Sequence, residues 1–273
     1  MSAGGQPLLL VGAGKMGGAM LERWLASGLT PSDVTILDPY LENERWAALA
    51  KAGIASARNI AEASDRAYRV MVLAVKPQSM AETLTQVKAL ASPETTVLSS
   101  AAGVRSATLE AAFTPAQAIV RAMPNTPAQV GMSMTVAVPN AHATELERAV
   151  VEQLLEAIGA FAWIDDEALI DAVTAVSGSG PAYIFLLAEC LAEAARKVGL
   201  PGDLADLLAR QTVAGSGALL AASPLSPAVL RQNVTSPGGT TAAALSVLMA
   251  EGGLQSLLTR AVEAAKQRSI ELG

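Results

Sequence analysis

Glycines and hydroxyl residues crowd the segment Val234-Thr-Ser-Pro-Gly238-Gly239-Thr240-Thr241, at the point where a helical run restarts. Backbone N–H groups at a helix N-terminus are unpaired, glycine lets a ligand approach the main chain, and Thr240 or Thr241 adds a hydroxyl donor. The chemistry is anion binding, and a small carboxylate fits; an ordinary N-cap after a Pro-Gly turn is the competing reading.

A second constellation lies at the other end of the chain. Gly12-Ala13-Gly14-Lys15-Met16-Gly17 follows the candidate strand Leu8–Val11 directly and opens a candidate helix through Ser27. That context predicts a dinucleotide site: Gly12 permits the tight turn, Gly14 the approach of a pyrophosphate, and Gly17 close packing of helix on strand. Asp38 ends the next candidate strand, where a carboxylate accepts the adenine-ribose hydroxyls and repels a 2′-phosphate. It therefore favours NADH, although Arg45 lies close enough to compensate in part. Ala74-Val75-Lys76-Pro77 also ends a strand and is expected beside the nicotinamide, with Lys76 placing the loop rather than donating a proton. Arg121-Ala-Met-Pro-Asn-Thr-Pro127 likewise ends a strand, and its two prolines are expected to rigidify a loop over the cleft.

Ser177-Gly-Ser-Gly-Pro181 opens a helix with a further hydroxyl-bearing terminus. Ser177 either flanks a substrate or serves glycine-mediated packing. His142 is the only histidine and reads as a surface residue, so no histidine-based triad or metal cluster is expected. Cys190, the only cysteine, reads as a buried structural thiol.

These segments need elements to position them. Short β-rich runs alternate with helical patterns through residue 164, at Leu8–Val11, Val34–Asp38, Val70–Ala74, Thr96–Ser99, Ala118–Arg121, Met134–Val138 and Phe161–Ile164. The rhythm is that of βαβ units and a parallel sheet. From Asp165 onward only Ala/Leu-rich helical segments follow, broken at Gly-Pro, Pro-Gly and Ser-Pro. The expected fold class is thus α/β, with a dinucleotide-binding domain over 1–164 and an all-helical domain over 165–273.

Hydrophobic residues make up 51% of the 273 and charged residues 16%, with aromatics only 3%, so the apolar content is thin side chains suited to close helix packing. So apolar a chain is expected to cover further surface with a second copy. A net charge of −6 without a Lys/Arg cluster argues against nucleic acid. The most apolar runs are strand-length, which argues against a membrane span, and the start of the chain shows no basic leader; a cytoplasmic location is expected.

Gly12–Gly17, Ala74–Pro77, Arg121–Pro127, Asp171–Tyr183 and Val234–Thr241 occur in the order, and at about the spacing, of the pyrroline-5-carboxylate reductase family, which the chain resembles along nearly its whole length. The resemblance implies a Rossmann-type domain, a helical domain that forms homodimers, with further assembly left open, and the last step of proline biosynthesis. That step is hydride transfer from NADPH or NADH to 1-pyrroline-5-carboxylate, giving L-proline. It also implies that Gly238, Gly239 and Thr240 hold the substrate carboxylate and that Thr241, the catalytic candidate, stands beside the ring nitrogen. Asn59, the loop Ser100 to Gly103 with Ala102, and Asn233 match family cofactor contacts. Asp38 departs from the small or basic residues of members that use NADPH.

Two rivals share the architecture. A β-hydroxyacid dehydrogenase needs a lysine base on the helix facing the nicotinamide, and Gly178–Cys190 contains none. A non-catalytic dinucleotide sensor has no use for the anion loop.

Overall fold

The computed structural model describes residues 7–273 and divides into two compact units, 7–178 with 266–273, and 179–265. The first unit contains β1 (Leu8–Val11), α1 (Lys15–Ala26), β2 (Val34–Leu37), α2 (Asn43–Lys51), β3 (Ala55–Ala57), α3 (Ile60–Ala63), β4 (Val70–Leu73) and α4 (Met80–Val87). It continues with β5 (Thr96–Ser99), α5 (Ser106–Glu110), β6 (Ile119–Met123), β7 (Ser133–Pro139), α6 (Glu145–Glu156), β8 (Gly159–Trp163) and α7 (Ile170–Val173).

The eight strands form one sheet in the order β3-β2-β1-β4-β5-β6-β7-β8. Leu8 and Leu10 pack into one buried cluster and Leu9 and Val11 into another, so the sheet is covered on both faces, as the unbroken apolar runs require. Trp24 of α1 is fully buried, its indole N–H donating to Leu154 O of α6 at 2.7 Å. The direction of strand addition reverses between β1 and β4, and at such a switch point the carboxyl ends of the strands open a crevice for a ligand.

The expected parallel sheet needs correction at one pair, because β6 and β7 run antiparallel, joined through a 3₁₀ turn at Thr126–Val130. Strand β6 runs on to Met123, past the expected strand end at Arg121. The short strand β3 has no counterpart in the sequence reading; Ala-Ser-Ala carries no β-branched or aromatic residue to mark it.

The first compact unit runs on through Gly178, beyond residue 164. Ile170 packs with Val136 and Val138, while Glu167 bonds Arg121 and Ser106, which keeps the stretch after β8 with the sheet.

The second unit holds α8 (Gly180–Lys197), α9 (Gly202–Ala222), α10 (Pro227–Asn233), α11 (Thr240–Leu248) and the first turns of α12 (Leu254–Leu272), whose last turns belong to the first unit. Pro181 occupies the first turn of α8, where its missing N–H costs nothing. Ala192 of α8 and Ala205 and Ala209 of α9 are buried, small side chains that let α8 and α9 pack closely, whereas Phe185 is 61% exposed and Ile184, Leu186 and Leu187 are also uncovered. Cys190 is likewise exposed, contrary to the expected buried thiol, because nothing among the described residues covers its side of α8.

The structure also joins Glu167–Lys197 into one helical run of 31 residues, long and apolar enough by length and composition to cross a bilayer. The expectation that the apolar runs are only strand-length fails here, since the glycines and proline that punctuate the sequence are absorbed by a π-turn at Thr174–Gly178 and by the start of α8.

Candidate active site

Gly12, at the end of β1, has φ +88°, and a Cβ there would lie 2.9 Å from Val75 Cγ1 and 3.0 Å from Ala74 O. Only glycine serves both the left-handed turn and the close approach. A Cβ on Gly17 would collide with Gly12 O and stand 3.2 Å from Ala74 Cβ, so α1 rests directly on the strand ends. Gly14 differs. Its backbone is extended, at φ −65°, and no atom lies within 4 Å of where its Cβ would be. Neither conformation nor packing requires glycine at position 14, which leaves the approach of a ligand to the main chain as its physical use. Gly14 is the N-cap of α1 with no side-chain cap, so the first amides of the helix remain available to a phosphate. This cradle fits a dinucleotide pyrophosphate, with Lys15 exposed and Met16 half-buried at its rim.

The neighbouring loops are tied to this cradle by main-chain bonds. Gly12 N–H donates to Leu37 O at 2.9 Å, Ala74 N–H to Val11 O at 2.9 Å, and Ser100 N–H to Leu73 O at 3.0 Å. Asp38 is half-buried, with Oδ2 accepting from Ala13 N–H at 2.8 Å and Oδ1 from Tyr40 N–H at 2.9 Å. Its carboxylate thus pins the glycine loop and starts a turn. Arg45 is half-buried, its guanidinium filling the space a Gly18 side chain would need, without an ion pair or hydrogen bond among the described residues. Asn59 is the exposed N-cap of α3, bonded to Glu62 through both Oδ1 and Nδ2. Val75 is half-buried, Lys76 and Pro77 are exposed, and Ala102 and Gly103 are half-buried in the loop after β5. The first unit therefore gathers Gly12–Gly17, Asp38, Ala74–Pro77 and Ala102–Gly103 at adjacent strand ends.

Ser177 also belongs to the first unit, in the π-turn. Its carbonyl accepts from Asn125 Nδ2 at 3.0 Å, and its hydroxyl donates to Met134 O at 3.3 Å. Asn125 Oδ1 in turn accepts from Ser133 Oγ and Met134 N–H. Asn125 is the organising residue of this corner, and the sequence reading passed over it; its place in a Pro-Asn-Thr-Pro run was the available signal.

In the second unit Asn233 ends α10 and is exposed. Gly238 has φ +69°, Gly239 is the N-cap of α11, and no side chain caps that helix. Thr240 is exposed and Thr241 half-buried at its first turn. This is the geometry of a main-chain anion cup with hydroxyls at its edge.

In the first unit an ion pair joins β6 to the stretch after β8. Arg121, 5% exposed, donates from Nη1 to Glu167 Oε1 at 2.7 Å, and the same oxygen accepts from Ser106 N–H at 2.8 Å and Ser106 Oγ at 3.0 Å. Burial pushes the Glu167 carboxyl upward, but the Ser106 and Arg121 hydrogen bonds outweigh it and hold the group below the usual carboxylate range.

The chain is similar to known proteins along nearly its whole length. Residues 167–272 match the family model described as pyrroline-5-carboxylate reductase dimerisation, and residues 8–103 match NADP oxidoreductase coenzyme F420-dependent. A pyrroline-5-carboxylate reductase of Pseudomonas aeruginosa is 38% identical over 268 residues, 97% of this chain and 96% of that protein. The pyrroline-5-carboxylate reductase structure from Coxiella burnetii superposes with a TM-score of 0.89 at 34% identity, covering 98% of each chain. The pyrroline carboxylate reductase of Plasmodium falciparum with NADP bound gives 0.82 at 28% identity, again over 98% of each.

Proposed function

The chain belongs to the pyrroline-5-carboxylate reductase family, and from that premise we propose how its residues carry out the reaction. The enzyme is an NAD(P)H-dependent oxidoreductase that reduces the C=N bond of 1-pyrroline-5-carboxylate to give L-proline. The observation that carries the reading is the glycine cradle, with position 14 left open, in a chain similar to the family from end to end.

When bound, the reduced nicotinamide supplies the hydride. The protein's task is modest, because a protonated imine is already strongly electrophilic. Catalysis then rests on holding donor and acceptor at near-attack distance. The amides of Gly238, Gly239 and Thr240 hold the substrate carboxylate, and the Thr241 hydroxyl bonds the ring nitrogen. Gly12–Gly17 takes the pyrophosphate, Asn59 and Asn233 contact the cofactor, and Ala74–Pro77 with Ala102–Gly103 face its nicotinamide half. Ser177 supports the substrate side through its bonds to Asn125 and Met134. The domains divide near residue 164 in function, and the uncovered apolar surface of α8 pairs with a second copy in a homodimer. A single cysteine suits a reducing cytosol.

NADPH is the preferred reductant in this proposal. Arg45 offers an unpaired cation against α1 that meets the 2′-phosphate and offsets the Asp38 carboxylate. Steady-state loss of nicotinamide absorbance with pyrroline-5-carboxylate tests both parts. We expect a higher kcat/KM with NADPH than with NADH; the reverse order refutes the role of Arg45, and absence of turnover with either refutes the activity.

A further inference from the structure

We propose that the last turn of α12 positions the cofactor loop Ala101–Val104, with Ser269 as its latch; this rests on the dinucleotide reading above. Gly103 adopts φ +74°, and a Cβ there would lie 3.3 Å from Leu272 O and 3.6 Å from Leu272 Cβ. Gly273 packs against the same loop, where a Cβ on it would stand 3.1 Å from Gly103 O and 3.3 Å from Arg105 Nε. The middle of the loop therefore rests on the last turn of α12 and on Gly273.

Helix ends fray unless they are tied down. Here the tie is Ser269, one turn earlier and 6% exposed, whose hydroxyl donates to Asp171 Oδ1 at 2.6 Å. Asp171 is anchored beside Ile170, which is buried with Val136 and Val138. One turn before Asp171, Glu167 caps Ser106 at the far end of the loop, while Ser100 fixes the near end through Leu73. The loop is thus fixed at three points. Leu73 and Glu167 set the two ends, and the middle point exists only while the last turn of α12 is docked. Ser269 and Asp171 touch no reacting group; they are positioning residues.

The test compares Ser269→Ala, Asp171→Asn and a chain lacking Leu272 and Gly273 with the wild type, by steady-state kinetics, fluorescence titration with NADPH and NADH, and thermal unfolding. Leu272 is 63% exposed, so the deletion removes little buried surface and the shortened chain is expected to fold. Ser269→Ala should raise the dinucleotide Kd and KM about tenfold, the loss of one charge-assisted hydrogen bond, and the deletion, which removes the Leu272 and Gly273 contacts to the loop, should raise them about as much. The imine KM should stay within about twofold. Asp171→Asn keeps an acceptor and should stay within about threefold of wild type. Unchanged dinucleotide KM in both Ser269→Ala and the deletion, with an active wild type, overturns the proposal. So does a parallel fall of every parameter together with the unfolding midpoint, which marks a merely structural role. A wild type that binds no dinucleotide overturns the functional reading itself, and this inference with it.

Discussion

Substituting Gly14 and Gly17 separately by alanine distinguishes a glycine kept for a ligand from one kept for the fold. At Gly14 the backbone is extended and the space for a methyl is empty. Alanine lowers the entropy of the unfolded chain, a gain of about 0.4–1 kcal/mol. It is also a poorer N-cap than glycine, a loss of similar size. The two offset to within about 1 kcal/mol, or roughly 4 °C in Tm for a chain of this length. The same methyl stands over the amides that would meet the pyrophosphate. Lengthening one or two charge-assisted hydrogen bonds, each about 1.5–3 kcal/mol, raises the dinucleotide Kd by about ten- to a hundredfold or more. At Gly17 the methyl meets Gly12 O and Ala74 Cβ, so α1 must lift from the sheet, at about 1–3 kcal/mol. There, stability and affinity should fall together. Dinucleotide titration by fluorescence, with thermal unfolding of the ligand-free protein, reads both quantities. Gly14→Ala with wild-type affinity, or with a stability loss equal to that of Gly17→Ala, refutes the reasoning.

Thr241→Ala should lower kcat about a hundredfold and leave dinucleotide affinity nearly intact, with Thr241→Ser restoring most of the rate; unchanged turnover removes Thr241 from the mechanism. Glu167→Ala leaves buried Arg121 without its partner and should cost about 2–3 kcal/mol in urea unfolding at neutral pH, the one-third exposure of Glu167 keeping the figure below that of a fully buried pair. Because the folded carboxyl lies below its ordinary value of 4.5, its contribution is complete above that pH and is lost as pH falls through the lower folded value. The gap between wild type and Glu167→Gln should therefore narrow between neutral pH and pH 3, and a gap that stays constant contradicts the assignment.

The strand–turn–helix around Gly12–Gly17 and the turn at Gly238–Gly239 were legible because neighbouring residues dictate them: φ, helix start and apolar run lie within a dozen positions. β1 and β5 fall at the expected residues for the same reason. Pairings between distant side chains were not legible. Arg121 meets Glu167 across 46 positions and Ser269 meets Asp171 across 98, and no local preference brings either pair together. The antiparallel turn from β6 to β7 belongs with these, since strand rhythm carries no direction. Burial in the helical half was misread at Cys190 because an apolar helix records that something covers it, whereas only the assembled molecule decides what does. Residue types and short spacings alone determined the chemistry available to this chain; the tertiary structure decided which groups are already engaged, as Asp38 and Ser177 are, because a hydrogen bond between distant segments exists only after the backbone has brought them within 3 Å or so.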